Sequence, residues 1–198
     1  QYQDYLFFDF NSDISRFSNM AYGGVGTNFN DPATWYKKNA TSYSVSGTLF
    51  NFTTTTSNSP YLRTSKSGVS TDSGSTLQYE LKKSDTLQIR MRHTSTTGNN
   101  ATEVTTKIKF DYWIDGVNKT QLTVGTFHFN NYYSSVELPL SSVTEGTMTA
   151  FQLSFTELSE VGGTLSIDWI YIGAEENAPL QDHLFFDFTN TAADQARY

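Results

Sequence analysis

Two alternating stretches of the sequence place polar and aromatic side chains where they could hold a ligand. Side chains alternate between the two faces of a β-strand. In the stretch 87–92, one face carries Leu87, Ile89 and Met91, and the other carries Gln88, Arg90 and Arg92. In the stretch 107–115, one face carries Ile108, Phe110, Tyr112 and Ile114, and the other carries Lys109, Asp111 and Trp113. If the two strands pair, one exposed sheet face carries Gln88, Arg90, Arg92, Lys109, Asp111 and Trp113.

That predicted face has the chemistry of a sugar-binding surface. A pyranose ring stacks on the plane of an indole such as Trp113, and its hydroxyl groups form paired hydrogen bonds with forked side chains such as Arg90, Arg92 and Asp111. The alternative is an ordinary solvated sheet face on which Arg and Asp pair across strands.

A second aromatic group lies at 127–133 and ends in Asn130-Asn131-Tyr132-Tyr133. The Asn-Asn-Tyr-Tyr end has the composition of a loop tip, where amides and phenols would meet a ligand. Trp35, at the end of the Asn- and Gly-rich stretch 11–35, is similar. We therefore name Tyr132, Tyr133 and Trp35 as an alternative ligand-binding end of the molecule. Aromatic residues that only plug the end of the fold are the competing explanation.

Two carboxylates sit inside apolar runs, Asp9 in Phe-Phe-Asp-Phe and Asp168 in Ser-Ile-Asp-Trp-Ile-Tyr-Ile. A carboxylate buried on a strand is costly unless it is paired or holds a metal. If the first and last strands are neighbours, Asp9 and Asp168 come together and, with loop carbonyls, would suit a structural Ca²⁺ ion. The alternative is a bond to backbone NH groups or to Arg16. A glycosidase carboxylate pair is disfavoured, because both residues would lie in terminal strands rather than in a cleft.

Composition excludes several classes of function. There is no cysteine, so a disulfide framework and a thiol nucleophile are absent. A net charge of −7 argues against nucleic acid or an anionic membrane as the main partner. No stretch is long and apolar enough to insert into a membrane as a helix. No Ser-His-Asp spacing or histidine cluster appears, so we do not expect an enzyme.

The distribution of turn residues predicts an all-β domain. Short β-type runs alternate with polar gaps, Asp115-Gly116 is a hairpin turn signal, and no stretch has helical periodicity. We expect an antiparallel β-sandwich of the jelly-roll type. The predicted strands cover 5–10, 43–52, 77–81, 87–92, 105–114, 121–129, 135–140, 147–157 and 165–172.

A repeated motif defines the expected domain organisation. Leu6-Phe7-Phe8-Asp9-Phe10 returns near the C-terminus as Leu184-Phe185-Phe186-Asp187-Phe188. We therefore expect one β-sandwich module at 1–173, a linker at 174–181, and the first strand of a following tandem repeat at 182–198. That last strand is expected to pack on its own domain or on another copy of the chain.

The opening Phe7-Phe8-Asp9-Phe10 and the closing stretch from Gly163 to Gly173 together resemble the galactose-binding-like jelly-roll modules, as repeated in surface-layer-anchored bacterial glycosidases. The resemblance implies a carbohydrate-binding module that is found beside catalytic domains of secreted enzymes. It also implies a structural calcium ion on Asp9 and Asp168. It assigns no ligand-contacting residue, because these residues vary freely in such modules.

From these observations we expect a non-catalytic, polysaccharide-binding module of a secreted, multi-modular protein attached to the bacterial cell surface. Its other partners would be the neighbouring modules of the same chain, and tandem copies would raise the effective concentration at a polymer. A structural spacer that holds another domain away from the cell wall is the alternative.

Overall fold

The strands of this chain follow its runs of alternating apolar residues. The computed structural model describes residues 5–10, 35–46, 49–54, 59–64, 77–97, 103–130, 132–175 and 178. The strands in these ranges are β1 (Tyr5–Phe8), β2 (Tyr36–Lys38), β3 (Ala40–Ser46), β4 (Leu49–Thr54), β5 (Tyr61–Arg63), β6 (Tyr79–Leu81), β7 (Asp85–Thr94), β8 (Val104–Ile114), β9 (Val117–Asn118), β10 (Leu122–Phe129), β11 (Ser134–Pro139), β12 (Gly146–Thr156) and β13 (Thr164–Ala174). The same ranges contain no α-helix and thus no helix able to cross a membrane.

Sheet A is built around β13, and its strand order is β11-β7-β13-β4-β3. One edge of β13 pairs with β7. The other edge is shared by two strands: β4 pairs with Thr164–Ile167, and β1 pairs with Ile170–Gly173. The first and last strands are therefore antiparallel neighbours, as the carboxylate argument expected.

Sheet B has the order β10-β8-β12-β5-β2, and the short strands β6 and β9 pair with β12 and β8. Within sheet B, the longest ladder runs between β8 and β12, from Met148 opposite Ile114 to Thr156 opposite Lys107. All pairings in the two sheets are antiparallel, so the predicted all-β antiparallel β-sandwich is confirmed.

The core lies between the inner faces of the two sheets. Phe8 and Phe50 contribute from sheet A, and Phe110 and Phe151 contribute from sheet B; all four are fully buried. Their rings pack at centroid distances of 5–6 Å, for example 5.8 Å between Phe8 and Phe151. Such aromatic pairs stabilise a core beyond the area that they bury, by roughly 0.5–1.5 kcal/mol each.

Trp35 belongs to this core and not to a ligand-binding loop end. It is 2% exposed, and its ring lies 5.4 Å from that of Phe8 and 5.7 Å from that of Phe151. The prediction that Trp35 contacts a ligand is wrong, because the aromatic residues of both sheets enclose its indole.

Several predicted elements differ in detail. The run 43–52 was expected to be one strand, but β3 and β4 form an antiparallel pair there, with Ser46 opposite Leu49. The strands β2 and β5 were not predicted. The Asp115-Gly116 turn is confirmed: it joins β8 to β9, and both residues have positive φ, 50° and 77°, as a tight hairpin turn requires. Arg16, Asn131 and the expected repeat at 182–198 lie outside the described residues.

Candidate functional site

The residues predicted to form one binding face are divided between two faces. β7 lies in sheet A and β8 in sheet B, so the assumed pairing of these strands is wrong. The alternation within each strand was predicted correctly. Ile89 and Met91 are buried in the core while Arg90 is partly exposed, and Phe110 is buried while Asp111 is partly exposed. Arg90 and Arg92 therefore point away from the side of the sandwich that carries Asp111 and Trp113.

We call the outward surface of sheet B the sheet B face. A row of polar side chains crosses it at one level of the strands, since Asp111 lies opposite Gln152, Gln152 opposite Arg63, and Arg63 opposite Tyr36. Neighbouring strands are about 4.8 Å apart, so this row of four strands spans about 14 Å. That length accommodates more than one sugar ring of a linear polymer.

Hydrogen bonds hold this row in register. Gln121 Nε2 donates to both carboxylate oxygens of Asp111, at 2.7 and 2.8 Å. Gln152 Nε2 donates to Ser154 Oγ at 2.8 Å, and its Oε1 accepts from Arg63 Nε at 2.9 Å. The forked groups are thus preoriented by hydrogen bonds between side chains.

Aromatic rings flank the row. The guanidinium carbon of Arg63 lies 4.9 Å from the centroid of the Trp113 ring, and the indole is 8% exposed. On the other side, Tyr61 and Tyr36 are both partly exposed, with ring centroids 5.9 Å apart. Burial, and after it the neighbouring Tyr36, raises the pKa of Tyr61 above its ordinary value.

We call the outward surface of sheet A the sheet A face. Here Arg90 and Arg92 both approach the ring of Tyr133, with their guanidinium carbons 4.5 and 4.9 Å from its centroid. Tyr132, the preceding residue, is 67% exposed, and its backbone NH donates to Asn130 Oδ1 at 2.8 Å. Of the predicted residues, the structure therefore brings together Arg90, Arg92 and Tyr133.

Gln88 lies on the same face, farther along β7. Its Nε2 donates to Glu137 Oε2 at 2.9 Å, opposite it on β11. Gln88 is almost fully buried, as are Tyr171 and Trp169 on the adjacent strand, so this end of the sheet A face offers less accessible polar surface than the sheet B face.

Asp168 forms an ion pair with Arg90 at an irregularity in β13. The ladder between β13 and β7 shifts register between Ile167 and Trp169, which makes Asp168 the extra residue of a bulge. Both partners are about one-fifth exposed. The positively charged partner of Asp168 is therefore Arg90, on the neighbouring strand β7, whereas the sequence suggested Arg16.

The contact with Arg90 engages one of the two carboxylate oxygens that a calcium ion at Asp168 would use. Ca²⁺ takes six to eight oxygen ligands. The described ranges also contain no group of three or more acidic or histidine side chains that could hold a metal. Asp9 is partly buried, directly after the last residue of β1. Calcium at Asp9 and Asp168 stays a prediction.

Sequence reasoning missed Arg63, Gln152, Tyr61 and Gln121. The signal for Gln152 was present, because Phe151-Gln152-Leu153-Ser154-Phe155 alternates apolar and polar residues and so turns Gln152 outward. Arg63 lies in a strand of three residues, which is too short for a reliable periodic signal.

Comparison with known proteins gives similarity at the level of solved structures. No protein-family model matches the chain, and no curated protein matches it. Among solved structures, the chain is similar to carbohydrate-binding modules of family 29. One variant of such a module has 10% sequence identity and a TM-score of 0.43, over 73% of this chain and 85% of the other. A variant complexed with cellulohexaose has 11% identity and a TM-score of 0.42, over 73% and 84%. A variant complexed with mannohexaose has 11% identity and a TM-score of 0.41, over 74% and 86%.

Proposed function

We propose that this chain is a non-catalytic carbohydrate-binding module and that a polysaccharide binds along the sheet B face. The observation that carries the proposal is the row Asp111-Gln152-Arg63-Tyr36, which is partly exposed, has a hydrogen bond between Arg63 and Gln152, and is flanked by the rings of Trp113 and Tyr61. Forked groups of this kind bond pairs of sugar hydroxyls, and partly exposed rings such as Tyr61 stack on pyranose faces.

The proposed setting is a secreted or cell-surface protein of several modules, as the repeated Leu-Phe-Phe-Asp-Phe motif suggests. A single module with a shallow row of contacts binds weakly. Tandem modules on one chain would raise the effective concentration at a polymer and hence the overall affinity.

Affinity electrophoresis in gels that contain neutral β-glucan, xylan or mannan tests the proposal. We expect at least one polymer to retard the wild type. We expect Tyr61→Ala and Trp113→Ala to lose at least tenfold in affinity, which corresponds to about 1.4 kcal/mol. Tyr132→Ala is the matched control, because it removes an exposed tyrosine ring that is not part of the row on the sheet B face. Loss of retardation in Tyr132→Ala, with retention in Tyr61→Ala, would move the polysaccharide away from the sheet B face.

A structural spacer is the second candidate, and the low exposure of Trp113 under Arg63 favours it. On this view Arg63 and Trp113 stabilise sheet B and contact no ligand. The spacer predicts no retardation by any polysaccharide, together with a normal thermal unfolding transition that shows the protein to be folded.

A further inference from the structure

Arg92 is a half-buried cation with no acidic partner in the described part of the chain. Arg90 pairs with Asp168, and Lys107 Nζ pairs with Glu157 Oε2 at 2.7 Å. By contrast, no described carboxylate lies within ion-pair distance of Arg92, and its Nε is buried without a hydrogen-bond partner. Removing a charged group from water without compensating bonds is costly. As far as the described residues extend, Arg92 is therefore held in an arrangement that an anionic group would improve.

The neighbouring carboxylates are occupied elsewhere. Asp168 is engaged by Arg90. Glu137 lies opposite Gln88, four residues before Arg92 on β7, and accepts the Gln88 amide. Tyr133 restricts the Arg92 side chain from the other side, with 4.9 Å between the guanidinium carbon and the ring centroid. The guanidinium is thus positioned by a ring, and no carboxylate of the described residues pairs with it.

Polar groups continue from Arg92 across sheet A at the same level. Ser166 lies opposite Arg92 on β13, Asn51 opposite Ser166 on β4, and Ser44 opposite Asn51 on β3. Ser166 Oγ donates to Asn51 Oδ1 at 2.6 Å. Ser166 is only 2% exposed, whereas Asn51 is partly exposed and Ser44 is exposed. The partly exposed ring of Tyr133 lies against Arg92. A cation, an aromatic ring and accessible hydroxyl and amide groups together match the groups of an acidic sugar.

We propose that the sheet A face binds a uronic acid residue of an acidic polysaccharide, with its carboxylate on Arg92 and its ring beside Tyr133. Arg92 would be the specificity-determining residue, since a planar guanidinium forms paired bonds with a planar carboxylate. This site is separate from the one proposed for neutral polysaccharide on sheet B. The net charge of −7 disfavours nonspecific retention of polyanions, so any such binding requires a local site.

Isothermal titration calorimetry with polygalacturonate, beside the same polymer after full methyl esterification, tests the site. We expect the wild type to bind the acidic form at least tenfold more tightly than the ester. Arg92→Gln should lose at least tenfold in affinity for polygalacturonate. Arg92→Lys keeps the charge but removes the fork, and it should lose most of that affinity as well. Lys109→Gln is the matched control, because it removes the same charge from the sheet B face, and it should bind like the wild type.

Three results would overturn the site: equal affinity for the acid and its methyl ester, equal losses in Arg92→Gln and Lys109→Gln, or binding of dextran sulfate as tight as that of polygalacturonate. The last two would indicate general attraction between charges. Retention of neutral polymers is measured separately with Tyr61→Ala, so failure of this site and failure of the sheet B proposal give different results. The thermal unfolding of each variant shows whether it is folded.

Discussion

The guanidinium group of Arg63 covers the indole of Trp113, with 4.9 Å between the guanidinium carbon and the ring centroid. Arg63 Nε also donates to Gln152 Oε1 at 2.9 Å, which fixes the guanidinium over the ring. Three strands of sheet B are thereby joined by side chains on its outward surface, because Arg63 is on β5, Gln152 on β12 and Trp113 on β8.

This contact predicts a measurable coupling between Arg63 and Trp113. Cation–π contacts contribute about 0.5 kcal/mol when exposed and about 2 kcal/mol when desolvated. We expect a coupling free energy in this range from a double-mutant cycle of Arg63→Ala and Trp113→Leu, measured by urea unfolding, because leucine has no π-system. The control cycle pairs Lys38→Ala with Trp113→Leu and should give a coupling below about 0.5 kcal/mol. Equal couplings in the two cycles would contradict the contact.

The ion pair between Asp168 and Arg90 predicts that Asp168→Asn destabilises the fold. The change leaves the partly buried Arg90 without its carboxylate, and hydrogen bonds to charged groups contribute about 1.5–3 kcal/mol. Because both groups are about one-fifth exposed, we expect a loss of about 1–2 kcal/mol in the free energy of unfolding. Glu157→Gln removes an exposed partner of Lys107 and should change stability by less than about 0.5 kcal/mol.

The calcium ion predicted from the sequence would affect thermal stability differently from the ion pair between Asp168 and Arg90. If Asp9 and Asp168 bind calcium, millimolar calcium raises the melting temperature of EDTA-treated protein by mass action, and Asp9→Asn abolishes the increase. If Arg90 is the sole cation at Asp168, the melting temperature is the same with calcium and with EDTA. A thermal unfolding scan under both conditions decides between the two.

His93 predicts an acid-sensitive fold. Its ring is fully buried, and neither ring nitrogen has a hydrogen-bond partner among the described residues. Burial lowers the pKa of His93, and the Glu160 carboxylate offsets part of this effect. The unfolded chain binds a proton at this site near pH 6.5, whereas the folded protein does so only at lower pH. The stabilisation is therefore complete above about pH 6.5 and is lost as the pH falls below it.

We expect the melting temperature of the wild type to fall between pH 7.5 and pH 5, and His93→Leu to show a shallower decline. His128→Gln is the control, since His128 is exposed and pairs with Glu103 at the surface. A decline that is unchanged in His93→Leu would assign the pH dependence to other groups.

Trp35→Ala predicts a large loss of stability. Truncation of a buried tryptophan costs about 3–5 kcal/mol, since it leaves a cavity beside Phe8 and Phe151. Trp35→Phe retains an aromatic ring and should lose less. Tyr132→Ala removes an exposed ring and should change the free energy of unfolding by no more than about 0.5 kcal/mol. Chemical unfolding measures all three, and similar losses in Trp35→Ala and Tyr132→Ala would contradict the core position of Trp35.

The sequence predicted local features well, because alternation is a property of a single strand. It assigned Ile89 and Phe110 to the core and Arg90 and Asp111 to the surface. It could not predict that the chain passes from sheet A to sheet B between β7 and β8, because strand pairing depends on contacts between residues distant in sequence. The residues that were predicted to share one face therefore lie on two faces, one on each sheet.

The composition of the sheet B face was harder to predict for the same reason. Asp111 and Trp113 were identified from β8 alone, but their partners Gln152 and Arg63 come from strands that are distant in sequence. Trp35 was predicted to contact a ligand because the residues around it in the sequence resemble a loop. The rings that enclose its indole come from strands that are distant in sequence.

The adjacency of β1 and β13 determines how the module responds to force. Tyr5 lies opposite Gly173, so the chain enters and leaves the sandwich at the same end of one antiparallel ladder. Tension applied through the chain on the two sides loads this ladder from that end, and its hydrogen bonds break one pair after another instead of together. β1 therefore peels away first and withdraws Phe8 from the core, which gives the module low mechanical resistance at its first strand.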